Sequence, residues 1–383
     1  MKKRLWTGFS ICGTGSYRTV SKAFHGVFLY GILYSVCALL FCSCGKSSGN
    51  GKVSDEKSDV KHTKEVVAMD TFMELTAYGA HGEEALEKAE KEIHRLDKLL
   101  SVSSTDGEVY IVNENGSEIL SEDTAALIED ALELYRKTEG AFDITVYPLM
   151  REWGFTDENY RVPDSDRLKE LLKNTDASKI EYDETTKQLT LPEGVQIDFG
   201  GIAKGYTSAR VMEIFRECGV ESGIVSLGGN VQTCGKKPDG STWKIGVQNP
   251  DTSADEPYIG TLDIGEKAVI TSGGYERYFE QDGKTYHHIL DPKTGYPAAS
   301  GLKSVTIVSA DGALADGLST SLFIMGKEKA EAFWKKENAS KEGAAFDVIL
   351  QEEDGSLFVT EGIEKEFSSD LDFEVIHLYP ETK

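Results

Sequence analysis

One stretch constrains the fold of this chain more than any other: Gln196-Ile-Asp-Phe-Gly-Gly-Ile-Ala-Lys-Gly-Tyr206. Val195 to Phe199 is apolar, β-branched at Val195 and Ile197, and punctuated by Pro192 and Gly194, so it reads as a short strand. Gly200 and Gly201 follow as a pair suited to positive φ, where a Cβ is costly. From about Lys204 to Cys218 the pattern is helical, with Val211, Met212 and Phe215 on a buried face and Gly219 to stop it. A strand, a glycine turn and a helix N-terminus together favour an anion, because unpaired N–H groups and the dipole both attract a phosphate. Asp198 enters the turn and Lys204 leaves it. A glycine-rich βα connection with solvated charges is the plainer alternative, and this stretch alone does not separate the two.

Charge narrows the partners. The chain of 383 residues carries a net −24. Residues 1–43 hold five cations (Lys2, Lys3, Arg4, Arg18, Lys22) and no acid, so the remainder has 36 basic against 65 acidic side chains, a net −29. Such a body offers no surface for neutralising nucleic-acid phosphates. It also repels anions at long range, so a phosphate site must be local, made by backbone dipoles, a few cations or a metal.

The basic segment leads into Val27–Phe41, fifteen residues that are short for a spanning helix and suit the core of a signal peptide. Next comes Cys42-Ser43-Cys44-Gly45-Lys46-Ser47-Ser48-Gly49. A small residue before a cysteine, then a polar tether, resembles a bacterial lipoprotein processing site with Cys44 acylated. The expected organisation is a leader over 1–43, a flexible tether over 44–64 and one catalytic body over 65–383. That places the body at the cell envelope, facing the periplasm. Only Cys218 and Cys234 fall within the body, too few for a disulfide framework and wrongly spaced for a metal site.

Along the body, Phe72 to Tyr78 alternates like a strand, and Glu83–Leu100 is an amphipathic helix with Leu86, Ala89, Ile93, Leu96 and Leu100 on one face. Ser121 stands where a cap of a second helix belongs, and Gly140 where that helix ends. Asp143 interrupts the apolar run Phe142-Asp-Ile-Thr-Val146, and a buried carboxylate requires partners. Ser304–Ala310 is a β-branched strand running into a helix with Leu314, Leu318, Leu322 and Met325 inward. Hairpins alternating with long helices predict an α+β fold of mixed sheets covered by helices.

Two further features are candidates for chemistry, each with a plainer reading: a carboxylate and a hydroxyl at helical spacing are usually solvated or locally hydrogen-bonded, and most lone histidines are structural. Asp316 and Thr320 lie four apart on that last helix, one turn apart on one face. A carboxylate and a hydroxyl are hard donors that suit Mg²⁺ or Ca²⁺, and Mg²⁺ keeps few protein ligands. His288, in Tyr286-His-His-Ile-Leu-Asp-Pro-Lys-Thr-Gly295, can accept the proton of an attacking hydroxyl. Its neighbour His287 points to the other face of a strand.

Six segments in order resemble one family: Met69-Asp-Thr-Phe-Met73, Gly140-Ala-Phe-Asp-Ile-Thr-Val146, Asp198-Phe-Gly-Gly-Ile-Ala-Lys-Gly-Tyr206, Ser226-Leu-Gly-Gly-Asn230, Tyr286–Gly295 and Ala315-Asp-Gly-Leu-Ser-Thr320. They look like the motif set of the ApbE family of FAD:protein FMN transferases. The resemblance implies two related halves of mixed or antiparallel sheet covered by helices, T-fold-like, with FAD between them. It implies Mg²⁺-dependent transfer of FMN from FAD to a threonine or serine of an acceptor flavoprotein, releasing AMP. By position, Met69, Ala141, Phe142, Asp143, Asp198, Lys204 and His288 would contact FAD. The Gly201 carbonyl, Asp316 and Thr320 would hold Mg²⁺, and His288 would be the catalytic base. The acceptor would belong to a membrane-bound or extracytoplasmic electron-transfer system.

Two positions depart from the family pattern: Asp70 stands where glycine is frequent, and Ser103 where many members carry a tyrosine. The second bears on the balance between transfer and hydrolysis, so a FAD pyrophosphatase is the nearest alternative. A non-catalytic FAD-binding lipoprotein would need neither Asp316, Thr320 nor His288, and a solute-binding lipoprotein would leave all six segments unexplained.

Overall fold

The computed structural model describes residues 60–339 and 346–379. The leader, Cys44 and the tether as far as residue 59 lie outside them. The chain enters on an edge hairpin in which β1 (Lys61–Ala68) pairs antiparallel with β2 (Thr71–Tyr78). The tether boundary at 64 is therefore too late, since Lys61–Lys64 is already strand. The charged sequence Lys-His-Thr-Lys reads as linker, but on an edge strand alternate residues face water. The hairpin turn is Met69-Asp70, both with positive φ (49° and 57°), as a two-residue turn matching the strand twist requires. Asp70 thus occupies a left-handed position where glycine costs least.

Next come α1 (Gly82–Leu100), α2 (Glu108–Asn115), β3 (Ser117–Ile119), α3 (Glu122–Lys137), α4 (Tyr147–Trp153), α5 (Ser165–Leu172), β4 (Glu181–Asp183) and β5 (Gln188–Thr190). Helix α1 buries the five residues its periodicity selects. Ser121 sits at the cap position of α3, yet its hydroxyl donates to Glu108 instead of capping. The helix stops at Lys137, before Gly140.

The remainder runs α6 (Ala203–Glu217), β6 (Ser222–Leu227), β7 (Asn230–Gly235), β8 (Trp243–Gln248), β9 (Tyr258–Ile264), β10 (Ala268–Gly273), β11 (Tyr278–Gln281), β12 (Lys284–His287) and β13 (Leu302–Ser309). Then follow α7 (Gly312–Met325), α8 (Lys327–Ala339), β14 (Phe346–Glu352), β15 (Leu357–Thr360), β16 (Phe367–Ser368) and β17 (Glu374–Ile376). Among the described residues, nine strands form one sheet in the order β1-β2-β6-β7-β10-β13-β14-β15-β17, antiparallel except at β15–β17. Its two halves meet at β7–β10, where only two residue pairs are in register.

Alternation along the strands assigns the faces. Val225, Ile307 and Leu350 point to the helices, whereas Ile224, Val308 and Ile349 point to a small sheet of β8, β9 and β16. Helices α1 and α6 cover one half of the sheet, and α7 and α8 the other. The fold is α+β and largely antiparallel, with helices on one face and a second sheet on the other.

The joint between the halves is also a helix crossing. A Cβ on Gly205 of α6 would lie 2.1 Å from the Gly312 carbonyl oxygen and 2.6 Å from Asp316 Cβ, both on α7. Only glycine lets the first turn of α6 rest on the carboxylate-bearing turn of α7.

Two expectations about the 196–206 stretch need correcting. Val195–Phe199 joins no sheet. The Asn113 side chain brackets it instead, its Nδ2 donating to Ile197 O at 2.8 Å and its Oδ1 accepting Ile197 N–H at 2.7 Å. This amide, with the Ile144 carbonyl that accepts Asp198 N–H at 2.9 Å, substitutes for a neighbouring strand. Gly200 and Gly201 do not adopt positive φ; they are small because of close approach. A Cβ would meet Asp198 Oδ1 at 2.8 Å from Gly200, and Phe142 Cε2 at 3.1 Å from Gly201. Asn113→Ala is expected to destabilise by about 2 kcal/mol, since Ile197 loses both partners. Denaturant unfolding measures it, and an unchanged midpoint would contradict this bracketing role.

Candidate functional site

The turn into α6 and the first half of α7 pack directly on one another through Gly205, Gly312 and Asp316. Asp316, buried on α7, accepts the Gly205 N–H with Oδ2 at 2.8 Å. It therefore caps α6 from another helix and satisfies a first-turn amide. Among the described residues, no donor reaches its other oxygen. Thr320 lies one turn along α7, its Oγ1 3.8 Å from where a Cβ of Gly201 would be. Gly201, Asp316 and Thr320 are thus brought together.

The turn is a weaker anion trap than its sequence implies. Gly200 N–H goes to Asp198 Oδ1 at 2.6 Å, Ile202 and Ala203 N–H go to Phe199 O, and Gly205 N–H to Asp316. Positive charge near the turn comes instead from Lys204 and Arg277. Both act on the same three half-buried groups. Asp198 is pushed above the usual carboxylate range by burial, opposed by the Gly200 amide and then by Arg277 and Lys204. Glu276 is pushed up to about 7, first by burial and also by Asp316, against Lys204 and Arg277. His288 is pushed down to about 3 by burial, then by Arg277, with His287 and Lys204 adding to it.

The imidazole of His288 has a defined tautomer. Its Nδ1 lies 3.1 Å from Arg277 O, and a carbonyl only accepts, so Nδ1 carries the proton and Nε2 presents a lone pair. The His288 N–H also donates to Arg277 O, at 3.0 Å, and the Arg277 guanidinium donates to Phe155 O. His287 turns the other way, Nε2 to Ala298 O and ring edge to Phe323, as strand alternation predicts.

The remaining predicted residues lie on the first hairpin and on the segment before α4. Met69 at the hairpin tip donates its N–H to Asp97 and accepts the Thr207 hydroxyl at Sδ. Ala141 and Phe142 are buried, Phe142 against Gly201. Asp143 has the partners its burial demands: Oδ1 accepts Thr145 N–H and Oγ1–H, and Oδ2 accepts Ala177 N–H. It lines a separate cavity of about 300 Å³ with Tyr135, Asp176 and Lys293. A larger cavity of about 660 Å³, lined by Arg151, Arg161 and Arg167 among others, contains none of the predicted residues. Its size carries no chemistry by itself.

The parts played by Glu276, Arg277 and Asn113 do not show in the sequence pattern. The only signal for Glu276 and Arg277 was a charged pair directly after Gly273-Gly274-Tyr275. In metal-free protein, Glu276→Gln is expected to stabilise progressively as pH rises from 4.5 to 7 and to level off above. The reason is that the folded carboxyl holds its proton where the unfolded one has lost it, so wild-type stability falls across that window. Melting temperatures of both proteins against pH, with a chelator present, measure this; a difference independent of pH would contradict it.

The residues fit a magnesium ion better than a softer metal. Among the described residues, no group of three or more His, Cys, Asp or Glu is placed to hold one. One carboxylate, one hydroxyl and a backbone carbonyl, all hard oxygens, suit an ion that takes its other ligands from phosphate and water.

A family model, the ApbE family, matches residues 69–344. The chain is 37% identical over 254 residues to a FAD:protein FMN transferase of Klebsiella pneumoniae, covering 65% of this chain and 78% of that one. A Haemophilus influenzae protein of the same name is 30% identical over 343 residues, 86% and 94% of the two chains. Among solved structures, the ApbE protein of Thermotoga maritima is similar with a TM-score of 0.74 at 34% identity, covering 80% of this chain and 99% of that one. The flavin transferase ApbE from Vibrio cholerae has a TM-score of 0.70 at 25% identity over the same shares. With the family match over most of the described body, the chain belongs to the ApbE family of flavin transferases.

Proposed function

We propose that this protein transfers FMN from FAD to a threonine or serine hydroxyl of an acceptor flavoprotein, with Mg²⁺ required and AMP released. The observation that carries this reading is the fixed His288 tautomer. A proton-accepting imidazole stands within electrostatic reach of two cations, Arg277 and Lys204, and Lys204 follows the turn that carries Gly201.

Transfer forms a bond from the acceptor oxygen to the FMN phosphorus and breaks the bond from that phosphorus to the bridging oxygen, which leaves with AMP. Nε2 of His288 takes the hydroxyl proton. Its low affinity for protons reflects burial and nearby cations, and a bound pyrophosphate raises it by adding negative charge. Lys204 and Arg277 neutralise the pyrophosphate, and Asp198 steadies the turn through Gly200. Gly201, Asp316 and Thr320 would hold Mg²⁺, which when bound offsets charge on the phosphates. Met69 and the Ala141–Asp143 segment would flank the FAD from the hairpin tip and from behind the turn. Acylation at Cys44 would tether the enzyme to the bacterial envelope facing the periplasm, within reach of membrane-bound or extracytoplasmic electron-transfer acceptors.

Mass spectrometry of protein and nucleotides, after incubation with FAD and Mg²⁺ with and without a periplasmic flavoprotein domain, tests the proposal. An FMN-sized adduct with stoichiometric AMP is expected. FMN and AMP in both arms without adduct would make the protein a FAD pyrophosphatase; unchanged FAD would leave a flavin-binding lipoprotein.

A further inference from the structure

A hydroxyl that ligates a cation must direct its proton elsewhere. A helical threonine ordinarily places that proton on the carbonyl four residues back, which for Thr320 is Asp316. That carbonyl already accepts the Ser319 hydroxyl at 2.8 Å, in addition to its helical N–H. Thr320 Oγ1 lies instead 3.3 Å from Ser272 Oγ on β10, and Ser272 Oγ lies 2.8 Å from Ser319 Oγ. Ser272 reaches both because, like Ile270 two residues before it, it projects from β10 towards α7.

Three hydroxyls carry three protons, and the contacts fix their order. Ser319 spends its proton on the Asp316 carbonyl, so its contact with Ser272 uses the proton of Ser272. The contact between Ser272 and Thr320 then uses the proton of Thr320. Were Ser272 to donate to Thr320, two oxygens 2.8 Å apart would face each other with no proton between them.

We infer that Ser272 is a positioning residue of the cation site. It accepts the Thr320 proton while Ser319 blocks the usual helical acceptor, leaving the Thr320 lone pairs for the cation. The inference rests on the magnesium reading of Asp316 and Thr320. It assigns a role to a strand residue outside the ligand set and to a helix residue, Ser319, that is fully buried.

The test is Mn²⁺ binding to the intact chain, read from the electron paramagnetic resonance signal of free Mn²⁺, with Asp316→Asn as the floor. Ser272→Ala is expected to weaken binding about tenfold or more, the usual effect of losing a partner that orients a ligand. Ser272→Thr, which keeps the hydroxyl, restores most of the affinity. Ser319→Ala frees the Asp316 carbonyl for Thr320 and also weakens binding. Wild-type affinity in Ser272→Ala, alongside loss in Asp316→Asn, overturns the inference and leaves the metal reading standing. Wild-type affinity in Asp316→Asn as well overturns both. If Ser272→Ala does not melt cooperatively, the same titration of Ser319→Ala decides.

Discussion

Asp316→Ala is expected to lower FAD turnover by about 1,000-fold or more, because the only carboxylate of the proposed cation site is removed. The same variant also leaves the Gly205 N–H, which Asp316 caps at 2.8 Å, without an acceptor. That costs about 1–3 kcal/mol of stability. Asp316→Asn separates the two effects. Its amide oxygen still accepts the Gly205 N–H, so it should melt close to wild type and yet be almost inactive. Turnover near wild type in Asp316→Asn would refute the metal assignment, whatever its melting temperature.

The second large effect is Gly205→Ala. The added Cβ meets backbone oxygen at 2.1 Å and the Cβ of Asp316 at 2.6 Å, so no side chain can swing aside to make room. Helices α6 and α7 must separate. Overpacking usually costs about 1–3 kcal/mol, and backbone on the far side puts this case at the upper end or beyond, outweighing the roughly 1 kcal/mol by which alanine favours a helix. Gly317→Ala on α7 is the control, since its Cβ meets the movable Leu134 Cδ1. Denaturant midpoints should fall much further for Gly205→Ala than for Gly317→Ala. Equal shifts would mean that the helix crossing is not the constraint.

Local pattern was legible in the sequence wherever one element carries the whole signal. Helix α1 shows its buried face by periodicity alone. Asp316 and Thr320 fall one turn apart on one helix, and His287 and His288 turn opposite ways, as spacing and alternation predict. Cys218 and Cys234 are free, and neither is needed for the chemistry described. The failures all involve partners distant in the chain. Val195–Phe199 has the composition of a strand, but its partners are the Asn113 side chain and the Ile144 carbonyl rather than a strand. Gly200 and Gly201 signal a turn through their small size, and sequence cannot tell left-handed backbone from the approach of Phe142. Lys61–Lys64 reads as linker because an edge strand can be charged on alternate residues. Ser272 and Arg277 acquire meaning only when β10 is laid beneath α7 and the following loop is brought to His288.

The central claim is that Gly201, Asp316 and Thr320 bind one divalent cation on the turn that leads to Lys204. Anomalous diffraction from a crystal of the protein soaked with Mn²⁺ and FAD tests it most directly. The account predicts a manganese peak in contact with the Gly201 carbonyl, an Asp316 oxygen and Thr320 Oγ1, with phosphate density beside Lys204. A peak held by other residues, or FAD bound with no peak between these three, would contradict it.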